Sequence, residues 1–458
     1  MSNDKAQMSN EVQHIKLKTR NTKPVIIIGG GLAGCEAAWQ LLKRGRQVSL
    51  YEMKPGVFSP AHKSPLLAEL VCSNSFRSNN IENAVGLLKE EMRLTGSLIM
   101  EAAEITSVPA GRALAVDRTL FSQYIEDKLI SSNGLTIIRQ EVTEIPQDSV
   151  VIIATGPLTS DAMAKDISGI TESEHLYFYD AISPIVDGES IDYSKTFKAS
   201  RYDDAGVGDY LNCPMTQSEY DRFWTELMDG TEVSLKDFEN KKYFEGCLPI
   251  EVLGRRGMKT LLFGPMKPVG LVDPKIGERP YAVVQLRQEN KSSTLFNMVG
   301  FQTKLTWPEQ KRIFRLIPGL NQADFFRYGS IHRNTFINSP ALLTKRLQFH
   351  SNNNIFFAGQ ITGVEGYVES AAMGLLAGIN VDCYLSGKKI ISPPETTALG
   401  ALVHYITNTD RKTFQPMNVN FGIFPPLQKK VPKKERGKHY AERSFSDLKK
   451  WDMASSVP

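Results

Sequence analysis

The chain runs to 458 residues, 41% hydrophobic and 23% charged; it has no run of roughly 18 apolar residues, which sets aside a membrane-spanning helix, and it is long enough for two or three domains. Its five cysteines (Cys35, Cys72, Cys213, Cys247, Cys383) are scattered, odd in number and without a C-x-x-C pair, which argues against a disulfide framework, a metal centre or a thioredoxin-type pair and suits a reducing cytoplasm. Net charge is +4, yet nine Lys/Arg against four Asp/Glu from Lys429 onward leave the preceding 428 residues at −1, so nucleic acid bound by the folded part would need a local patch.

Residues 1–22 have no apolar h-region and no cleavage site, and read as a disordered leader. The stretch "KPVIIIGGGLAGCEAAWQLLKRGRQVSLYEMKP" from Lys23 is the most informative. Val25 to Ile28 is a wholly apolar run that fits a buried parallel strand. Gly29, Gly31 and Gly34 follow in G-x-G-x-x-G spacing, with Gly30 in the same loop. Apolar residues then recur at helical intervals up to Gly45, and "QVSLYE" restarts a strand ending in Glu52. Each part has a physical reason. Gly29 makes the turn, Gly31 lets the backbone approach a pyrophosphate, and Gly34 lets helix and strand pack closely. The helix N-terminus faces the phosphates, and Glu52 can accept from an adenosine ribose. Strand, helix, second strand and acidic residue together make this a dinucleotide site rather than a bare glycine turn.

Further along, "ELVCSNSFRSN" places Cys72 in a polar, turn-rich setting unlike that of a core cysteine. Asn74, Ser75, Arg77 and Ser78 beside it are candidates for flavin or phosphate contact, or for capping a helix from about Asn80. "DSVVIIATGP" is another buried strand, ending at Gly156. A span of separate strand-like runs and a helix-like "PEQKRIFRLI" follows. "NIFFAGQITGVEGYVESAAMGLLAGINV" then gives a strand, a glycine-rich loop and a helix of closely spaced small residues. That last pattern resembles flavoproteins, with Gln360 after Gly359 where they usually carry aspartate. The expected architecture is α/β: a Rossmann-like FAD-binding domain with a parallel sheet (23–156 and 351–410), interrupted by an inserted α+β substrate domain (157–350) and followed by a basic tail (411–458). On charge alone the tail segment "KKVPKKERGK" is equally a solvated run or an RNA contact.

Several stretches coincide with one family. "GGGLAGCEAAWQLLKRG", "AELVCSNSFRSN", "VPAGRALAVDR", "FEGCLPIE", "LLFGPMKPVGL", "YGSIHRNTFINSP" and "FFAGQITGVEGYVESAAMGLLAGIN" together resemble the folate- and FAD-dependent tRNA (uracil-5-)-methyltransferases, in order from about Pro24 to about Thr409. The resemblance implies 5,10-methylenetetrahydrofolate as one-carbon donor, FAD reduced by NADH or NADPH, and methyl transfer to C5 of a uridine in the tRNA T-loop. Close relatives act on a ribosomal RNA uridine, so the RNA target stays open. No membrane and no metal are expected to take part.

That chemistry asks for a nucleophile and a base. C5 of uracil reacts only after something adds at C6, which a thiolate does well. The C5 proton must then leave to a base within about 3 Å. A cysteine alone is most often a small buried hydrophobe. By resemblance, Cys247, held in a turn by Gly246 and Pro249, is the C6 nucleophile, with Arg255 and Arg256 nearby as positive charge. Cys72 by resemblance faces the flavin and accepts the C5 proton or shields the flavin. Cys35 and Cys383 read as core residues, and Cys213 as nothing catalytic. The same resemblance makes His332 a pterin-stacking partner, with Arg333, Asn334 and Arg287 as further folate ligands and Gly366 in a segment ("GYVES") closing over flavin and folate. The rival readings are a flavin oxidoreductase without RNA chemistry, an RNA-binding scaffold, and the related flavoproteins that modify wobble uridines.

Overall fold

The computed structural model describes residues 23–172, 176–201, 208–233 and 248–455. The leader and Cys247 therefore lie outside the described residues.

Five strands form a parallel sheet: β1 (Val25–Ile28), β2 (Val48–Tyr51), β3 (Leu135–Ile138), β4 (Val151–Ile153) and β5 (Ile355–Phe357), in the spatial order β5-β4-β1-β2-β3. In register, Ile27 lies between Leu50 and Ile152. The central strands are continuous apolar runs because both sheet faces are covered. On one face lie α1 (Leu32–Leu42) and α3 (Tyr367–Leu385), together with α2 (Ala84–Leu94). The close spacing of small residues is structural. A Cβ on Gly34 would sit 1.8 Å from the Gly29 carbonyl oxygen, and one on Gly374 would sit 2.2 Å from that of Ala33. The other face is covered by Met163 and Ile167 and by Ile337, Leu342 and Phe349, which pack on Ile28, Ile153 and Phe357. Chain on both sides of the insertion thus stays with this sheet.

A six-stranded sheet has every neighbouring pair antiparallel, with strands Tyr210–Met215, Ala282–Gln288 and Leu295–Met298 in sequence at its centre. It carries a separate core built on Phe223, Phe301, Phe314 and Val284. An antiparallel ribbon of Leu176–Ala181 and Ile331–Phe336 joins the two units. The expected α/β class with an α+β insertion is what the chain adopts.

The basic C-terminus is not a loose tail. It forms α5 (Arg436–Ser455), and Ala441, Leu448 and Trp451 join the core of the parallel-sheet unit. Buried Glu91 on α2 ties the end in place. It accepts from the amides of Ala398 (2.6 Å) and Leu399 (2.9 Å), which start α4 (Ala398–Asn408), and from the Ser444 hydroxyl of α5. A charge count hides this, whereas residues 441, 444, 448 and 451 fall on one helical stripe. The helix expected near Asn80 begins at Ala84 instead, because the Asn80 side chain accepts from the Glu82 amide in a turn (2.9 Å). Among the described residues no helix is long and apolar enough to cross a membrane.

Candidate functional site

A cavity of about 420 Å³ opens beyond the C-terminal ends of β1, β2, β4 and β5 and is closed by the ribbon. This is where open parallel sheets bind ligands, and its size falls within the usual range of about 300–1,000 Å³.

One wall is the glycine loop. Gly29 has φ +107°, and a Cβ there would lie 2.4 Å from the Ala154 carbonyl oxygen, so the turn onto β4 excludes any side chain. Gly31 is the opposite case: a Cβ would meet nothing within 4 Å and would point into open space. Gly31 is also the N-cap of α1 and offers no side chain to the first-turn amides, which leaves them free for an anion. The Glu52 carboxylate is held at the edge by the amides of Gly30 (3.0 Å) and Lys54 (3.0 Å). Each of its oxygens keeps a lone pair for a ribose hydroxyl. Gly156, Gly359 and Gly366 all have positive φ and line the same cavity. Room at Gly31, free helix amides and a fixed carboxylate fit a dinucleotide such as FAD. The Gln360 amide is already engaged, donating to Glu365 Oε2 at 2.5 Å.

The second wall carries Cys72. The Tyr367 hydroxyl oxygen accepts from the amides of Cys72 (2.8 Å) and Ser73 (3.1 Å) and lies 3.0 Å from Cys72 Sγ. Two N–H donors fill the two lone pairs of a hydroxyl, so its own proton points at the sulfur. The thiol hydrogen is left free to turn toward the cavity. Burial and the carboxylate of Asp180 push the Cys72 thiol up to about 11, against the pull of the Tyr367 hydrogen bond and Arg118. At neutral pH it is therefore a thiol. Arg287 braces this loop through Asn74 Oδ1 (2.8 Å) and Ser73 Oγ (2.8 Å), and Asn74 in turn donates to the carbonyls of Val116 and Gln288. Arg77 pairs with buried Glu369 on α3. Asn74 and Arg77 thus brace the site from within.

The third wall is the ribbon. Strand alternation separates the three consecutive candidates. His332 and Asn334 face the cavity, while Arg333 is exposed, its guanidinium 5.4 Å from the Tyr177 ring centroid. The alternation therefore puts two of the three at the cavity and the third, Arg333, on the outer face. His332 Nδ1 and Asn334 Oδ1 are buried without a hydrogen-bond partner. Such atoms in a cavity wall are places for a ligand's polar groups. Burial pushes His332 below its ordinary value although Asp180 opposes this, so the imidazole is neutral.

Four residues of the site were not singled out from sequence: Asp180, His62, Glu365 and Tyr367, all lining the cavity. Asp180 is opposite His332 only through the ribbon register. Tyr367 was visible only as part of "GYVES". Arg255, read as a charge beside Cys247, pairs with Glu232 at 2.5 Å. Cys35 is buried and donates to the Gly30 carbonyl, and Cys213 sits in the second core, where burial pushes it up to about 12. Cys383 packs half-buried against the first core. Among the described residues no group of three or more His, Cys, Asp or Glu could hold a metal.

Residues 24–389 match the family described as glucose inhibited division protein A. A protein of Syntrophus aciditrophicus named methylenetetrahydrofolate--tRNA-(uracil-5-)-methyltransferase TrmFO is 66% identical over 433 residues, covering 94% of this chain and 98% of that relative. Its namesake in Geobacter sulfurreducens is 57% identical over 430 residues, with 94% and 99% covered. Among solved structures, Aquifex aeolicus GidA aligns with a TM-score of 0.69 at 17% identity, covering 94% of this chain and 76% of that one. At that identity the likeness speaks for the fold.

Proposed function

The chain belongs to the family of methylenetetrahydrofolate--tRNA-(uracil-5-)-methyltransferases, and on that premise we propose that it methylates C5 of a T-loop uridine in tRNA. The one-carbon unit comes from 5,10-methylenetetrahydrofolate, at an FAD kept reduced by NADH or NADPH. Reduced FAD, when bound, would supply the hydride that completes the methyl group and the proton that the second folate nitrogen needs. The chain's own groups do the rest. Glu52 and the free amides of α1 hold the dinucleotide, and Gly31 leaves it room. His332 and Asn334 take the polar edge of the folate heterocycle, and Arg287 offers its remaining N–H groups from the adjoining wall.

Cys72 handles protons in both directions. Resting as a thiol aimed into the cavity, it gives its proton to a folate nitrogen as the bond to the one-carbon unit breaks. The resulting thiolate, held by the Tyr367 hydroxyl, then takes the proton that leaves uracil C5. Donation and return balance, and the enzyme ends as it began. Cys247, outside the described residues, is assigned the attack on C6.

The observation that carries this reading is one cavity lined by the glycine loop, Cys72 and two unpartnered polar atoms of the ribbon. The test is to mix the protein with NADPH, methylenetetrahydrofolate and an unmodified tRNA transcript, and to seek 5-methyluridine by nucleoside mass spectrometry. Flavin reduction without 5-methyluridine would mark an oxidoreductase. Product on a ribosomal fragment alone would move the substrate.

A further inference from the structure

We propose that residues 255–279, centred on Phe263, form the surface on which the RNA docks, with the Phe263 ring taking the stacking place of the base drawn into the cavity. This rests on the RNA-methylating reading above and adds to it where the RNA lies.

Phe263 is 82% exposed, the most exposed large hydrophobic side chain among the described residues, and Met258, Val269, Val272 and Ile276 of the same segment are exposed as well. Fraying does not account for this. Leu261, in the same short helix Thr260–Phe263, is fully buried in the second core, and the Met266 carbonyl accepts from the Val283 amide of the central sheet. The backbone is anchored, and the ring is held outward. Exposed apolar clusters of this kind mark contact surfaces.

The segment sits at the cavity's lip. Pro265 packs on Gly300 so closely that a Cβ there would lie 2.7 Å from the Pro265 Cβ, and Gly300, Val299 and Gln302 line the cavity. Phe263 is two residues along the chain from Pro265, which packs on that wall. The segment is basic in sequence: six Lys or Arg from Arg255 to Arg279 against Asp273 and Glu278, in a chain whose whole surplus is +4, with Arg255 paired to Glu232. The Lys275 ammonium donates to the carbonyls of Ser194 and Thr196, and among the described residues it has no carboxylate partner. Lys259 and Arg279 are exposed.

An exposed ring on a segment rich in Lys and Arg, packed against the wall of a cavity that must admit a single base, fits RNA. The cations meet phosphates, and an aromatic face stacks on any base. Extrusion of a nucleotide leaves a gap in its strand, and a rigid exposed ring at the entrance fills that gap.

The test uses FAD-loaded protein and an unmodified tRNA transcript, with binding followed by fluorescence anisotropy and methylation by steady-state kinetics. Phe263→Ala lowers kcat/KM for tRNA about tenfold while leaving bound flavin and the folate KM unchanged, and Phe263→Trp restores most of it. The double charge reversal Lys259→Glu, Arg279→Glu weakens tRNA binding about tenfold at low salt, with the loss fading at high salt. Phe263→Ala within about twofold of wild type for tRNA, or a rise in the folate KM instead, overturns the proposal. Wild-type protein that binds tRNA through this surface without forming 5-methyluridine sinks the chemistry and leaves the surface standing.

Discussion

The two sides of the cavity are built differently. The glycine loop takes its groups from one short stretch, residues 29–34 with Glu52, and each position answers to a backbone demand that it alone imposes. The opposite side draws Cys72, Asp180, Arg287, His332 and Tyr367 from five separate segments that meet only in the folded chain. On the proposed reading, dinucleotide holding is encoded locally, whereas folate contact and proton handling are encoded by topology.

The largest effect should come from within the loop. Gly31→Val places a side chain where nothing but the ligand would stand, so the protein should fold, purify without yellow colour and fail to methylate. Gly34→Ala should instead destabilise the fold itself, because its Cβ would lie 1.8 Å from a backbone oxygen that cannot yield. Circular dichroism and flavin absorbance together separate the two outcomes. A Gly31→Val protein with full flavin would break the assignment of this wall.

Next come the proton-handling residues. Cys72→Ala should retain FAD and lower kcat about a hundredfold to ten-thousandfold, the usual range for a missing acid–base group. Tyr367→Phe should cost about tenfold to a hundredfold, because the thiolate loses its one hydroxyl donor. Burial raises the folded thiol, so the protonated form is the favoured one. Iodoacetamide labelling of Cys72 should then be slow at neutral pH and rise through a midpoint near 11. The stability contributed by the neutral thiol is present below the unfolded value of about 8.5 and is lost as pH rises through the folded one. Tyr367→Phe should move the labelling profile to higher pH. A profile unmoved by the mutation would show that the hydroxyl does not serve the sulfur.

The ribbon supplies the smallest contrast. Asn334→Ala should raise the folate KM about tenfold, the cost of one lost buried hydrogen bond of roughly 1–2 kcal/mol. Arg333→Ala, one residue away on the outer face, should change it by less than about twofold. Equal effects at both would mean that the strand's alternation does not govern ligand contact.

Sequence reasoning reached the first side almost in full. Gly29, Gly31, Gly34 and Glu52 have spacings fixed by a turn, a helix start and a strand length. It reached Cys72, His332, Asn334 and Arg287 through family resemblance, and could not see Asp180, whose place depends on the pairing of residues 176–181 with 331–336. Nor does any local pattern reveal that one tyrosine oxygen collects two amides and turns its proton to a sulfur. Arg333 shows what a run of polar residues leaves unsaid: the two-residue period of a strand turns the middle one to the outer face. The C-terminal helix was hidden in the same way, because counting charges overlooked Leu448 and Trp451 on its inner stripe.

That helix has a consequence for biosynthesis. Val25 and Trp451 belong to one core, yet α5, which packs on α2, is synthesised long after β1. At typical elongation rates the delay is roughly 20 to 85 s. A nascent chain stalled before residue 436 exposes the apolar seat meant for α5.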